Sequence, residues 1–431
     1  MKTRLRYLPT AYVFLISLML LAVEGSSQKP VNSIRNNEKY AHVKKRAEEV
    51  IRSGFNAGDG YAEVWIRDYN TFIELSAKVL PAETLRENLL VFFKLQGDDG
   101  NIIDGFVPKE KAGVGYDYRY SPMAPEYAGH KNTVETDQES SLMQAVYKYI
   151  QATGDKSMLD FKVGDKSVAD RLEWSLDYLM NDRYAKEYGL LYGATTADWG
   201  DVQPEHDWGV YLTADTHKAI DVYDNAMFLV ALDHFMEMAP AKKARWEPVR
   251  KGIAANVRKY LWDAKRGKFR PHVYLNGSPF PKALDEDAIY YHGGTAVAIE
   301  AGLLSRKEVL LALEKMIANV KASGAGSIGL TLYPPYPAGT FRNTGMYPYG
   351  YQNGGDWTWF GARMIQQLIR YGYVEQAVEN FQPMIDRVEK NNGFFEWYTV
   401  NNEPKGSGTF RGEAGVLYKT ILMLEAWTAK Q

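Results

Sequence analysis

Trp65-Ile66-Arg67-Asp68-Tyr69-Asn70 runs without a break into the apolar stretch 72–80, and Pro81 stops it before a second stretch at 83–96. The order is a polar, aromatic-rich loop, then a segment apolar nearly all round, then a segment with one apolar face. A helix that is apolar on every side belongs inside a fold, and one with a single apolar stripe lies against it from outside. The same order returns along the chain. Glu135-Thr136-Asp137-Gln138-Glu139 leads into 142–150, and Asp221-Val222-Tyr223-Asp224-Asn225 leads into 227–238. Tyr291-His292-Gly293-Gly294 leads into 297–304, and Asn353-Gly354-Gly355-Asp356-Trp357-Thr358-Trp359 leads into 361–371. Arg411-Gly412-Glu413-Ala414-Gly415 leads into 417–427. One-faced segments recur at 37–53, 168–180, 241–261, 306–322 and 374–388.

The starts of these units lie roughly 55–90 residues apart, longer than the period of common solenoid repeats and suited to a helix pair plus a long loop. Six inner and six outer helices close most simply into an all-α (α/α)6 toroid, with a linear helical solenoid as the alternative. In the toroid every inner helix presents its N-terminal loop at one end, which gathers Trp, Asp, Glu, Arg and His from distant segments into the composition of a binding cleft. Two segments interrupt the helices. Segment 97–133 reads as a long loop, and 265–284 reads as a short β-hairpin with Asn276-Gly277 as its turn. Loops of that length are usually functional, and here they are expected to wall the cleft.

The chain of 431 residues has a formal net charge of −2 and no cysteine, which excludes disulfides and thiol chemistry and leaves no basic footprint for nucleic acid. Its 30 tyrosines and ten tryptophans suit a sugar-stacking cleft, with aromatic filler of a large helical core as the alternative for any one of them. Lys2, Arg4 and Arg6 precede an apolar run at 11–23 broken only by Ser17, and Gly25, Ser26 and Ser27 follow. That pattern reads as a cleaved signal peptide over 1–25, so a secreted or periplasmic protein is expected, with no membrane span after cleavage. A linker over 26–36 and one catalytic domain over 37–431 complete the division, and a monomer is expected.

Asp198-Trp199-Gly200-Asp201 places two carboxylates around a tryptophan, where burial would raise a carboxyl pKa. The two aspartates are too close in sequence and too alike in setting to be a working pair, so they read as alternatives for one role. Glycoside cleavage needs a second carboxyl across the bond. Glu396, in Phe394-Phe395-Glu396-Trp397-Tyr398, sits among four aromatics, where its charged form must be hydrogen-bonded or functional.

These motifs resemble, in their order, those of the six-hairpin glycosidases, over roughly residues 35–430. That assemblage includes trehalases, processing α-glucosidases, glucoamylases, glycogen-debranching α-1,6-glucosidases and alkaline/neutral invertases. Trp65-Ile66-Arg67-Asp68 is similar to the Trp-x-Arg-Asp signature that holds terminal-sugar hydroxyls. Asp198-Trp199-Gly200-Asp201 sits where such enzymes carry the acid; alignment on the tryptophan favours Asp198, and a glucoamylase-like register favours Asp201. Glu396-Trp397-Tyr398, followed by Lys405-Gly406-Ser407-Gly408, resembles the Glu-x-Tyr segment of the catalytic base. The loop at 353–357 resembles the Gly-rich, Trp-containing loop before the fifth inner helix. The resemblance implies a secreted, inverting, exo-acting glycoside hydrolase on an α-glucoside or related oligosaccharide or polysaccharide. Of the two aspartates, Asp198 is favoured as the acid, and the resemblance implies that it stands about 6.5–9.5 Å from Glu396.

Sugar contacts are expected from Trp65, Arg67, Asp68, Asp137, Gln138, Trp199, Asp224, Asn225, His292, Asp356, Trp357, Trp359, Trp397 and Tyr398. Several have structural alternatives: Arg67 and Asp68 as an ion pair, Asp137, Gln138, Asp224 and Asn225 as helix caps, His292 as a satisfied structural histidine. The seven histidines show no ligand spacing, so no catalytic metal or other cofactor is expected, while a calcium site built from loop carboxylates stays open. Two further functions are consistent with the composition. A toroidal polysaccharide lyase would use a Tyr or His base with Arg or Lys on a uronate. A non-catalytic oligosaccharide-binding protein would keep the aromatics without an acid–base pair.

Overall fold

The apolar and one-faced segments form helices that alternate along the chain. The computed structural model describes residues 30–113, 116–207 and 210–431, so the expected signal peptide lies outside the described residues. The helices are α1 (Glu38–Ile51), α2 (Ile66–Val79), α3 (Ala82–Lys94), α4 (Gln138–Thr153), α5 (Val168–Asp182), α6 (Val222–Met238), α7 (Lys243–Asn256), α8 (His292–Glu300), α9 (Arg306–Ser323), α10 (Thr358–Arg370), α11 (Val374–Asn391) and α12 (Arg411–Thr428). The even-numbered helices are inner and the odd-numbered ones outer. Part of the expected linker is ordered against the body: 30–34 is helical, and Ile34 is buried.

Burial separates the two sets as the pattern requires. Every residue of α10 from Thr358 to Ile369 is buried, whereas α9 buries only Val309, Ala312, Leu313 and Met316. The outer helices carry their own start and stop signals. Ser167 with Asp170 and Ser305 with Glu308 form capping boxes on α5 and α9, and Gly324 ends α9 in the left-handed conformation. By contrast α2, α8, α10 and α12 follow Trp65, Tyr291, Trp357 and Phe410, none of which caps with its side chain. Their first-turn N–H groups are left for tertiary partners.

The inner helices close into a ring. Each packs on the next, α2 on α4, α4 on α6, α6 on α8, α8 on α10 and α10 on α12, and α12 returns to α2. A linear solenoid has no such first-to-last contact, so the fold is the (α/α)6 toroid. Closure depends on a close approach, because a Cβ on Gly415 of α12 would lie 2.5 Å from the Phe72 Cα of α2. Phe72 itself is fully buried, which contributes about 1.5–3 kcal/mol.

Short strands at the N-terminal end of the ring replace expected loops. Gly105–Pro108 pairs antiparallel with Val64–Trp65 on one side and Tyr127–His130 on the other, so part of segment 97–133 is sheet. The expected hairpin around Asn276-Gly277 does not form. Val273–Tyr274 pairs instead with Lys218–Ile220, which also pairs with Gly193–Ala194, and Lys268–Phe269 turns back on Trp262–Asp263. The Asn276 side chain explains the difference. It accepts the Lys218 N–H at 2.6 Å and donates to the Thr216 carbonyl at 3.0 Å, so it ties its loop to another segment rather than turning a hairpin.

Candidate active site

A cavity of about 630 Å³ opens at the end of the ring where the inner helices begin. Trp65, Arg67 and Asp68 reach it from the start of α2, Trp357 and Trp359 from the start of α10, and Phe410 from the residue before α12. Its floor is aromatic. Trp199 stacks on Phe360 with ring centroids 4.4 Å apart, and Trp357 and Trp359 meet it edge-on at 4.8 and 5.5 Å. These rings are buried.

Arg67 stands in the wall, held by carboxylates on several sides. Its Nη1 donates to Glu135, and Asp137, Asp104 and Asp201 lie 3.7, 3.9 and 3.9 Å from the guanidinium. Arg67 is ion-paired, but with these four carboxyls; the expected pairing with Asp68 does not form. Asp68, beside it in the cavity wall, is buried, and burial pushes its carboxyl up to about 8 against the opposing Arg67 charge. Burial likewise raises Asp104 to about 7.

Two further carboxylates face the cavity from loops. Asp201 keeps nearly a third of its side chain exposed and is clamped by Gln352, whose Nε2 donates to Asp201 Oδ1 at 2.8 Å and whose Oε1 accepts the Asp201 N–H at 3.3 Å. Gly200 permits this approach, since a Cβ there would lie 2.6 Å from Gln352 Oε1. Glu396 is buried to 5 % exposure, and its Oε1 accepts the Ser407 N–H at 3.2 Å. Burial raises its pKa, while the Tyr61 hydroxyl and the Ser407 N–H favour the charged form. Behind Glu396 lies Gly406, at φ +72°, where a Cβ would sit 2.4 Å from Glu396 Oε2. The glycine is required by both the backbone and the carboxylate.

Asp198, favoured from sequence for the acid, lies off the cavity. It adopts φ +59°, and its two oxygens accept the N–H groups of Gly293 and Gly294 at the start of α8. A buried carboxylate across a helix N-terminus is a structural clamp. Other expected sugar ligands are also spent on structure. Asp137 accepts the Tyr223 hydroxyl at 2.8 Å, and Gln138 accepts Lys131 at 2.6 Å. Asp224 accepts the Thr136 N–H, and Asn225 brackets the Leu191 backbone. Asp356 is paired with Arg387 at 2.6 Å and with Ser327, and Tyr398 lies under the same arginine. His292 lies between the Ile328 carbonyl at 3.2 Å and the Asn319 amide at 3.0 Å, and burial lowers it to about 4. None of these residues lines the cavity, whereas Trp199, Trp357, Trp359 and Trp397 do.

Sequence reading missed Tyr61, Glu63, Asp104 and Gln352, which line the cavity. Gln352 directly precedes the quoted glycine-rich loop and could have been taken with it; the others belong to no motif. Among the described residues no group of three or more His, Asp or Glu side chains is placed to hold a metal ion, and no helix is long and apolar enough to cross a membrane.

Residues 38–403 match the catalytic-domain model of the glycosyl hydrolase 94 superfamily. The chain belongs to that superfamily. It is a glycosidase-type enzyme with the (α/α)6 barrel of the six-hairpin glycosidases. No curated protein sequence matches it. The GH63 mannosylglycerate hydrolase from Thermus thermophilus in complex with glucose superposes with a TM-score of 0.62 at 14 % identity, over 88 % of this chain and 99 % of that one. The same enzyme with Tris and D-glycerate gives 0.62 at 15 % identity, over 88 % and 100 %. A rhamnosidase from Klebsiella oxytoca with rhamnose bound gives 0.57 at 11 % identity, over 89 % and 63 %. At these identities the likeness is one of fold.

Proposed function

We propose that this superfamily member is an exported, inverting, exo-acting glycoside hydrolase that removes a terminal sugar, with Asp201 as acid and Glu396 as base. The observation that carries the reading is that Asp201 and Glu396, from loops nearly two hundred residues apart, line the same cavity. This revises the expectation that favoured Asp198, whose oxygens are occupied by backbone donors. Asp201 gives its proton to the glycosidic oxygen as the bond to the anomeric carbon breaks. Glu396 takes a proton from the water that attacks that carbon from the opposite face. Its raised pKa suits a base, because proton affinity nearer the working pH strengthens the pull on water.

The buried aromatic cluster of Trp199, Trp357, Trp359 and Phe360 at the inner-helix starts supports exo action, in which a sugar chain is bound by its end. Asp68, Asp104 and Arg67 supply acceptors and donors for the hydroxyls of the terminal sugar, and Trp65 and Trp397 supply stacking faces. The resemblance to trehalases and processing α-glucosidases supports an α-glucoside as substrate, and the charged, apolar, small-residue order at 1–27 supports export. The test is a screen of the purified enzyme against aryl glycosides and natural disaccharides, with the first-formed anomer followed by NMR. Hydrolysis with inverted anomer is expected. Retention, or full turnover in both Asp201→Asn and Glu396→Gln, would overturn the mechanism.

A further inference from the structure

Residues 56–61, between α1 and α2, form a loop that packs on the segment following Glu396. Asn56 shapes it, donating to the Gly58 carbonyl at 3.1 Å and to the Tyr61 carbonyl, and Arg411 holds Asn56 in turn. Gly58 lets the loop lie flush. A Cβ there would stand 2.2 Å from Ser407 Oγ and 3.1 Å from the Thr409 carbonyl oxygen.

Asp59 makes the contact. Its Oδ1 accepts the Ser407 hydroxyl, the Thr409 hydroxyl at 2.7 Å and the Thr409 N–H at 3.1 Å. Its own N–H donates to Thr409 Oγ1 at 2.8 Å. Asp59 is exposed and off the cavity lining. The Ser407 and Thr409 hydroxyls hold its carboxyl below the usual carboxylate range, so it keeps its charge at neutral pH. Ser407 is thus gripped by its side chain while its N–H donates to Glu396 Oε1 at 3.2 Å. The same loop ends on Tyr61, whose hydroxyl bonds Glu396 directly. Asp59 and Tyr61 therefore reach one carboxyl by two routes. A side chain that must face one point of a site needs partners that are themselves fixed.

We infer that Asp59 is a positioning residue for Glu396, acting through the Ser407 hydroxyl to fix the N–H that orients the Glu396 carboxyl. Its effect on turnover rests on the proposed role of Glu396 as base; its effect on the carboxyl rests on these contacts alone. The other ionisable groups around Glu396 are Tyr61, Asp201, Asp68 and Tyr351. Burial is the main cause of the raised Glu396 pKa, and the like charges of Asp59 and Asp201 add to it.

Two variants separate the hydrogen bonds of Asp59 from its charge. Asp59→Ala removes the acceptor and should lose about tenfold or more in kcat with little change in KM, when assayed well below its denaturation midpoint. Asp59→Asn keeps the Oδ1 acceptor and should recover most of that turnover. With a like charge gone, the acid limb of its kcat/KM profile should move to lower pH. A readout without turnover is the Ser407 amide NMR signal, in enzyme carrying isotope-labelled serine, assigned by its loss in Ser407→Ala. It should follow the ionisation of Glu396 in the parent, follow it at lower pH in Asp59→Asn, and lose that dependence in Asp59→Ala. Full kcat in Asp59→Ala, or a Ser407 titration that this variant leaves unchanged, overturns the inference. If Glu396→Gln is itself fully active, the base reading fails instead, and the Ser407 titration alone decides the inference.

Discussion

Asp198 and Gly294 meet across 96 positions of sequence: the aspartate Oδ1 accepts the glycine N–H at 2.7 Å, while Oδ2 takes the neighbouring N–H of Gly293 at 2.6 Å. This clamp fixes the Trp199-Gly200 turn against α8. Its companion Asp201 lies on the cavity side of that turn. The two aspartates therefore have separable roles.

Asp198→Asn leaves an N–H of the α8 first turn facing an amide NH₂ or without an acceptor. It should lose about 1–3 kcal/mol of stability, seen as a lower denaturation midpoint. In Asp201→Asn the amide oxygen still accepts from Gln352 Nε2 and the backbone N–H still reaches Gln352 Oε1, so it should keep its midpoint while kcat falls about 10²–10⁴-fold. The reverse pattern, a stable but inactive Asp198→Asn beside an active Asp201→Asn, would return the acid to Asp198.

Gly406→Ala pushes a methyl into Glu396. A Cβ there meets Glu396 Oε2 at 2.4 Å, whereas one at Gly277, also of positive φ, meets nothing within 4 Å. Both substitutions strain the backbone, but only the first displaces the Glu396 carboxyl. Activity assays should show Gly406→Ala losing about tenfold or more in kcat, since displacement by ~1 Å can cost 10²-fold, with Gly277→Ala near the parent enzyme.

How far this site could be read from sequence follows from the range of its contacts. The ring was legible because burial of a whole helix writes itself into every residue of that helix, as in α10. The placement of Glu396 on the cavity was legible because it sits in a cluster of aromatics, Phe394, Phe395, Trp397 and Tyr398. The choice between Asp198 and Asp201 was not, because it is set by Gly293 and Gly294 on another helix. Asp104 and Tyr61 were invisible for the same reason: each is an ordinary residue in a loop, brought to the cavity by the strand pairing at Trp65–Gly105 and by Glu396. His292 and Asp356 misled because polar residues at inner-helix starts also satisfy buried backbone and arginine groups.

Tyr61→Phe removes a hydroxyl that favours the ionised form of Glu396. The Glu396 pKa should then rise. A base works only when ionised, so the acid limb of the pH profile of kcat/KM should move to higher pH, with little change in fold. A limb that stays in place or moves to lower pH would remove Glu396 from the role of base.

Asp68 has a folded pKa of about 8 against 3.8 in the unfolded chain. The folded state therefore holds a proton that the unfolded state has lost between those values. The group's contribution to stability is full below pH ~4 and declines as pH rises towards 8. Asp68→Asn has no such decline. Its denaturation midpoint relative to the parent should climb from pH 5 to pH 8, gaining about 1 kcal/mol or more, while activity falls through loss of a sugar contact. Parallel pH dependence in the two proteins would show that Asp68 is ionised in the fold.

The crossing of Gly415 on Phe72, reinforced by the ion pair of Lys419 with Glu74, joins parts of the chain 345 positions apart. On the ribosome, at roughly 5–20 residues per second, about 20–70 s separate the emergence of α2 from that of the helix that covers it. Throughout that interval a helix that buries nine of its 14 residues in the finished fold lacks one of its neighbours. The nascent protein is thus a broken circle with sticky ends, and any cell that makes it must shield them until the last segment arrives.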